Sequence, residues 1–445
     1  MTSATDVNTM MSDLNRIDTS TQRSVGAVLR PRAQAAGAAA IGMLVLSACG
    51  DGSDTGSGSA DGQQTLTVWT YYTAGGQNDA LEQQNALWAE SHPDVTIETV
   101  QIPFEQLPSK LLATATTQDG PDVVLDNVVV DFPTLASSGV LADLTGYWDG
   151  YADKDLFPDS AVWSYEDKVY NVMSYTNLLG LYYNADMLEE AGIEPPETME
   201  EFQAALEQLA PDNEGSVLAE SGAPTVEGAW MFMPHLLGQG KDYCTMTEAD
   251  LTTNLQTVQG WSQDGVIPRE TATWDQADAW QAFMSGDYPF GINGNWNLAD
   301  ARGADFTIGT TRFPAGPEGS HVFPGGEAIG IGAFAEDKDL AWQYVEEAWM
   351  SQEASLINFE ASGQIPTRSD LADDETITSD ELVQPFVEAA SETGAWPLNQ
   401  ETAAMQTAVG EAHSAVISGQ SEPADAARTA IEAVTAARED GGGSC

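Results

Sequence analysis

The chain has 445 residues, and 69 Asp and Glu against 15 Lys and Arg set a formal net charge of −54. A field of that sign repels phosphate backbones and anionic lipid surfaces, which excludes nucleic-acid binding and disfavours anionic small ligands. The charge does not mean disorder, because 42% of residues are apolar and 12 Trp, 12 Tyr and 13 Phe are present, enough for a packed core.

The first element in chain order is a processing signal. Arg23, Arg30 and Arg32 precede Ala35–Leu46, an uncharged apolar run of 12 residues, whereas a bilayer span needs about 20. Leu46-Ser47-Ala48-Cys49 follows. It resembles the bacterial lipobox, in which small residues admit the peptidase and the Cys thiol takes up diacylglycerol as a thioether. Residues 1–48 therefore read as a signal peptide and Cys49 as the lipid-attachment residue, placing the protein on the outer face of the cell membrane. Residues 1–22 are long for a pre-region, so a start at Met11 is an alternative. Residues 49–64 are Gly/Ser/Asp-rich without apolar periodicity and read as a flexible tether spanning about 20 Å.

Thr65–Trp69 alternates as a strand, Asn78–Glu90 has helical apolar spacing, and Val95–Val100 alternates again. Leu107, Leu111, Leu112 and Ala115 form a helical stripe within Phe104–Thr117, and Pro121–Leu125 is a short buried-strand pattern. This β-α-β-α-β run predicts a doubly wound α/β domain. Thr198 with Glu201 three residues on is a capping box for a helix over Thr198–Leu209. Asp337–Met350 places Ala341, Tyr344, Val345, Ala348 and Trp349 on one face, and Glu401–Ser418 and Ala424–Arg438 are the closing helices. Residues 439–445 form a tail. No linker follows residue 64, so two lobes built from interleaved segments are expected.

From Cys49 on, the basic residues are Lys110, Lys154, Lys168, Lys241, Lys338, Arg269, Arg302, Arg312, Arg368, Arg428 and Arg438. The carboxylates are spread along the chain, which reads as a surface property and predicts a salt-loving or salt-tolerant source. Catalytic signatures are weak. There is no P-loop or complete dinucleotide glycine fingerprint, and His92, His235, His321 and His413 lack metal-ligand spacing. No metal, cofactor or enzymatic activity is expected. Cys244 and Cys445 could pair in an oxidising compartment.

Loop-like positions instead combine aromatic rings with Asp, Asn and Glu. They are Trp69–Tyr72, Asp126-Asn127, Tyr175–Asn177, Trp230, Trp274-Asp275, Asn293–Trp296, Gly325–Glu327 and Trp396. Flat aromatic faces suit the C–H surface of a polyhydroxyl ligand, and carboxylates and amides accept its hydroxyl protons. Ligands of open α/β sheets sit at the carboxyl ends of strands.

Leu178–Gly192 with Pro195–Phe202 resembles the "lyYNkdlleeaGi…P.TweEf" signature of family 1 extracellular solute-binding proteins, the maltose-binding-protein-like receptors of ABC importers. Met199 stands where the family usually has Trp. Pro121–Val124, Ser138–Thr145, Phe283–Gly286 leading into Asn293–Trp296, and Gly363–Pro366 match further family segments, so the resemblance spans residues 65–438. It implies a two-lobed, periplasmic-binding-protein-like α/β fold of interleaved doubly wound lobes closing about a hinge. Lobe 1 is expected at 65–174 plus 325–376 and lobe 2 at 175–324 plus 377–438. Crossings are expected near Met173–Thr176, Phe323–Glu327 and Asp374–Asp380.

The resemblance further implies a sugar between the lobes, ABC permease subunits as partners, and a monomer. Tyr71, Asp126, Asn127, Gly326 and Glu327 would face the sugar from one lobe and Tyr175 and Asn177 from the hinge. Trp230, Trp274, Asp275, Asn295, Trp296 and Trp396 would face it from the other lobe. Trp230, Trp296 and Trp396 are the stacking candidates, and Asp126, Asp275 and Glu327 the hydrogen-bonding ones. Twin-tyrosine iron binding by Tyr71-Tyr72 would need a basic anion site that this chain scarcely has. A compatible-solute receptor, for example for betaine, and a secreted glycoside hydrolase are the alternatives.

Overall fold

A computed structural model describes residues 64–72, 75–213, 216–390, 393, 396 and 399–443. The signal peptide, Cys49, nearly all of the tether, and Cys445 lie outside them.

The first lobe grows on a six-stranded sheet. Strand β1 (Gln64–Thr70) is followed by α1 (Gly75–Ser91), β2 (Val95–Gln101), α2 (Leu107–Thr117), β3 (Val123–Asn127) and α3 (Val128–Ser138), the predicted β-α-β-α-β run. β2 and β3 lie parallel to β1 on either side, with Gln64 opposite Val95 and Val68 opposite Val123. The hairpin β4 (Val162–Tyr165) and β5 (Lys168–Val172) completes the far edge. The chain then leaves through β6 (Tyr175–Thr176).

The second lobe begins with β7 (Leu179–Asn184) and continues through α4 (Met199–Leu209), β8 (Leu218–Ala219) and α5 (Val226–Leu237). Next come α6 (Glu248–Gln263), α7 (Gln276–Met284), β9 (Phe290–Gly294) and β10 (Ile308–Arg312). Its four-stranded sheet runs β10-β7-β9-β8. The predicted capping box is present: Thr198 Oγ1 accepts from the Glu201 N–H, and the Glu201 carboxylate accepts from the Thr198 N–H.

The chain returns to the first sheet as β11 (Glu327–Ile331), inserted between β3 and β5 and antiparallel to both. Helix Lys338–Tyr344 and a π-helical turn over Val345–Trp349 then bury Ala341, Tyr344, Val345, Ala348 and Trp349, the stripe expected there. Next come α8 (Gln352–Ser362), packed along α1, and β12 (Ile365–Pro366), which pairs antiparallel with β6. The last two helices, α9 (Thr402–Ile417) and α10 (Pro423–Asp440), pack on each other and on α6.

Among the described residues, three apolar clusters follow this threading. A small one holds Trp69, Leu111, Val124 and Leu135. Of the two large ones, the first holds residues such as Leu66, Leu125, Phe132, Tyr175, Ile329 and Trp349, and the second Leu178, Phe202, Phe232, Phe290, Phe323 and Met405. The chain passes between them at 173–178 and at 323–328. The third passage falls between Met350 of the first core and Phe359 of the second, ahead of Asp374–Asp380, where Leu371 and Ile377 already belong to the second core. At the junction Asn177 and Gly325 exchange two backbone hydrogen bonds, and the Thr367 N–H donates to the Ser174 carbonyl. No helix among the described residues is long and apolar enough to cross a membrane.

Candidate functional site

Three strand ends meet at one edge of the first sheet. Tyr71 follows β1, Asn127 ends β3, and antiparallel register sets Glu327, the first residue of β11, opposite Asn127. Gly326 reaches this edge with φ +138°, a conformation that L side chains avoid. A Cβ there would also lie 2.8 Å from the Met173 methyl.

Glu327 is the hub of the edge. Its carboxylate accepts from the Tyr71 hydroxyl, from the Tyr175 hydroxyl at 2.7 Å and from Asn177 Nδ2 at 3.4 Å. The hydroxyls of Tyr72 and Tyr175 are hydrogen-bonded to each other. Burial, and then the charge of Glu327, push the phenols of Tyr71, Tyr72 and Tyr175 well above 10, so they stay protonated and available as donors.

The opposite wall is aromatic. Trp230 of α5 and Trp296, just after β9, stack with ring centroids 5.4 Å apart and planes 15° apart. Gly325 leaves room for Trp230, since a Cβ would come within 2.3 Å of the indole. Trp396 stacks on Phe323 at 4.1 Å and donates from its indole nitrogen to the Pro324 carbonyl at 2.5 Å. Between these walls lies a cleft of about 220 Å³. Among the described residues two carboxylates line it, Glu227 and Glu327, and no Lys or Arg. Asn127 Oδ1, Asn177 Oδ1 and Trp230 Nε1 are buried at its lining with no partner among the described residues.

The lobes touch across the cleft. Gln406 of α9 lines it and donates from Nε2 to the Val129 carbonyl of α3 at 3.2 Å, and Thr134 Oγ1 donates to the Gln400 carbonyl at 2.9 Å.

Eight of the sequence-predicted residues meet here: Tyr71, Asn127, Asn177, Trp230, Trp296, Gly326, Glu327 and Trp396. The other five have different surroundings. Tyr175 lies behind Glu327 as its second phenolic donor. Asp126 is buried, accepts from Asn171 Nδ2 at 2.5 Å, and is pushed up to about 8 by that burial. It faces a water-sized void lined also by Asp131 and Leu135. Trp274 packs edge-on to Tyr288, and its carbonyl accepts from Ser221 Oγ. Asp275 caps α7, its carboxylate accepting from the Asp278 N–H at 2.8 Å. Asn295 is fully buried and ties the lobe crossings together. It accepts from the Leu178 N–H at 2.7 Å and donates to the carbonyls of Gly363 at 2.8 Å and Thr176 at 3.4 Å.

Sequence reasoning missed Gln77, Phe104, Glu227, Gln276 and Gln406, which all line the cleft. Gln276 adjoins the predicted Trp274-Asp275 pair. Gln406 sits mid-helix among small residues and carries no sequence signal. Cys244 is disulfide-bonded, whereas Cys445 lies outside the described residues.

Residues 85–385 match the family model of bacterial extracellular solute-binding proteins. The maltotriose-binding protein of Pyrococcus abyssi is 23% identical over 332 residues, 69% of this chain and 68% of that protein. The multiple sugar-binding protein of Streptococcus mutans is 24% identical over 240 residues, 50% of this chain and 56% of that protein. Among solved structures, the GacH receptor of Streptomyces glaucescens, studied unliganded and with acarbose, superposes with a TM-score of 0.75 at 23% identity. That match covers 85% of this chain and 99% of the receptor. Maltose-bound MalE3 of T. maritima gives a TM-score of 0.74 at 21% identity over 83% of this chain and 99% of its own. These likenesses establish the two-lobed α/β fold.

Proposed function

The chain belongs to the bacterial extracellular solute-binding protein family, and from that premise we propose that it captures a neutral sugar or short oligosaccharide between its lobes and delivers it to an ABC importer. The observation that carries this reading is the pairing of walls in the cleft. Stacked indoles of Trp230 and Trp296 face an edge of carboxylate and amide acceptors, with no lysine or arginine among the described lining residues. Indole faces cover the C–H surface of a pyranose, while Glu327, Asn127 and Asn177 accept its hydroxyl protons. The names of the sugar-binding relatives support the same ligand class.

Ligand that bridges both walls stabilises the closed arrangement of the lobes, so capture is a population shift toward closure. Glu327 is held ready for it: with Tyr71 and Tyr175 already donating, its carboxylate loses little freedom when a hydroxyl arrives.

Titration of intrinsic tryptophan fluorescence against a panel of mono- and oligosaccharides, with betaine and a peptide as comparators, tests the reading. Saturable change with a neutral sugar is expected. Glu327→Gln should weaken it by about tenfold or more, the scale of one charge-assisted hydrogen bond. A response to betaine or peptide with none to any sugar overturns the assignment.

Cys49 as lipid anchor belongs to the same proposal, since a tethered receptor stays beside its permease. Incorporation of a fatty-acid probe that survives Cys49→Ala would refute it.

A further inference from the structure

Trp396 forms one wall of the cleft, and its position is set from behind. Its ring lies nearly parallel to those of Phe323, at 4.1 Å and 19°, and Tyr243, at 6.4 Å and 15°. Tyr243 and Phe323 are themselves stacked at 5.8 Å and 13°. Tyr243 is buried and its hydroxyl has no hydrogen-bond partner among the described residues, so what it contributes to this stack is a ring face.

The next residue, Cys244, is disulfide-bonded, and its carbonyl accepts from Arg438 Nη1 at 3.3 Å, near the C-terminal end of α10. The Arg438 carbonyl in turn accepts from Asn399 Nδ2 at 3.1 Å, three residues beyond Trp396. After α10 the chain turns back, the Gly443 N–H donating to the same Arg438 carbonyl at 2.7 Å. Cys445 lies two residues further on in sequence. Trp396 is therefore tied to Tyr243 by stacking and Asn399 to Arg438 by a hydrogen bond, and both ties lead to Cys244 and the end of α10.

We propose that a disulfide between Cys244 and Cys445 is a clasp that positions Trp396 for ligand. It keeps the end of α10 against the Tyr243-Cys244 segment and so fixes the Phe323–Tyr243–Trp396 stack. Tyr243, Cys244 and Cys445 are positioning residues acting through Trp396. The inference rests on the cleft being the ligand site. Cys49 is the other cysteine of the chain and is assigned above to the lipid. The physical gain is preorganisation. A partly exposed indole loses rotational freedom when it stacks on a sugar, and a wall ordered beforehand has less to lose. Disulfides persist in the oxidising space outside the cell, where this family works.

The test uses the full mature chain prepared under oxidising conditions. Peptide mapping should find Cys244 joined to Cys445; a different partner, or two free thiols, overturns the clasp. The emission of Trp396 is isolated as the difference from Trp396→Phe. Its quenching by acrylamide should rise clearly in Cys445→Ser, and the affinity for maltotriose as probe should fall about three- to tenfold. Reduction of the folded wild type gives the same comparison where the serine variant does not fold.

Two further comparisons separate positioning of Trp396 from general loosening. In the Trp396→Phe background, loss of the disulfide should cost no further affinity. Tyr243→Phe should behave as wild type, whereas Tyr243→Leu should reproduce the loss. Unchanged Trp396 quenching after the bond is broken overturns the proposal. That readout needs no ligand, so it still decides the clasp where wild type binds no sugar and the functional reading fails instead.

Discussion

Asp126 and Glu327 are both acidic residues at the cleft-side end of the first sheet, and their environments give them different work. Glu327 accepts three hydrogen bonds from Tyr71, Tyr175 and Asn177. Asp126 accepts from the Asn171 side chain, and its second oxygen finds no partner among the described residues, so burial pushes its carboxyl up to about 8. The fold therefore holds Asp126 mainly protonated at neutral pH, while the unfolded chain ionises it near 4. A raised carboxyl contributes stability that is fully present below about pH 4 and is lost as pH rises toward 8. The unfolding free energy of wild type is expected to fall between pH 5 and pH 8. Asp126→Asn should remove up to about 4 kcal/mol of that difference. Urea titrations of both proteins at the two pH values check this, and parallel pH profiles would argue against it.

At the scale of elements, the cleft depends on how closely α5 and α9 approach. α5 presents Glu227 and Trp230, and α9 presents Gln406. Gly410 of α9 meets the cap of α5: a Cβ would lie 2.1 Å from the Thr225 carbonyl oxygen, while the Thr225 side chain accepts from the Glu227 N–H. Alanine at Gly410 gains about 1 kcal/mol of helix propensity but must push two backbones apart. The expected net effect is a loss of about 1–2 kcal/mol, measurable as a lower urea midpoint, with weaker ligand binding because Trp230 moves with the cap.

Local chemistry made several elements legible in advance. The Thr198–Glu201 box, the alternation of β1 and β2 and the apolar stripe over 337–350 depend only on neighbours in sequence. The third lobe crossing does not, since its place is set by which core receives Phe359 and Ile365.

For the whole molecule the charge excess dominates. A net −54 makes the compact state self-repelling in dilute buffer. Raising ionic strength from 0.1 M to 1 M shortens the Debye length from about 10 Å to about 3 Å, which relieves repulsion between surface carboxylates. On the proposal of a salt-adapted protein, the melting temperature is expected to climb by about 5 °C or more over that range. A flat series from dilute buffer to molar salt would remove the salt reading. The same charge bears on ligand choice, because an anionic sugar would meet Glu227 and Glu327 with no cation among the lining residues.

The sequence by itself determined the class of fold and the kind of surface that lines the cleft. Both follow from patterns in the residue order alone: strand–helix alternation, a run of family motifs, and aromatic and acidic residues at predicted strand ends. Only the tertiary structure decided which of those residues face the cleft. Asp126 and Asn127 are neighbours in β3 whose side chains leave the sheet on opposite faces, and pairing with β11 sets Asn127 beside Glu327. Asp275 is consumed as the cap of α7, while Gln276, one residue on, reaches the lining. Asn295 turns inward to hold the crossings together. Residue type identifies what a side chain can bind, but register and packing across long sequence separations determine where it points.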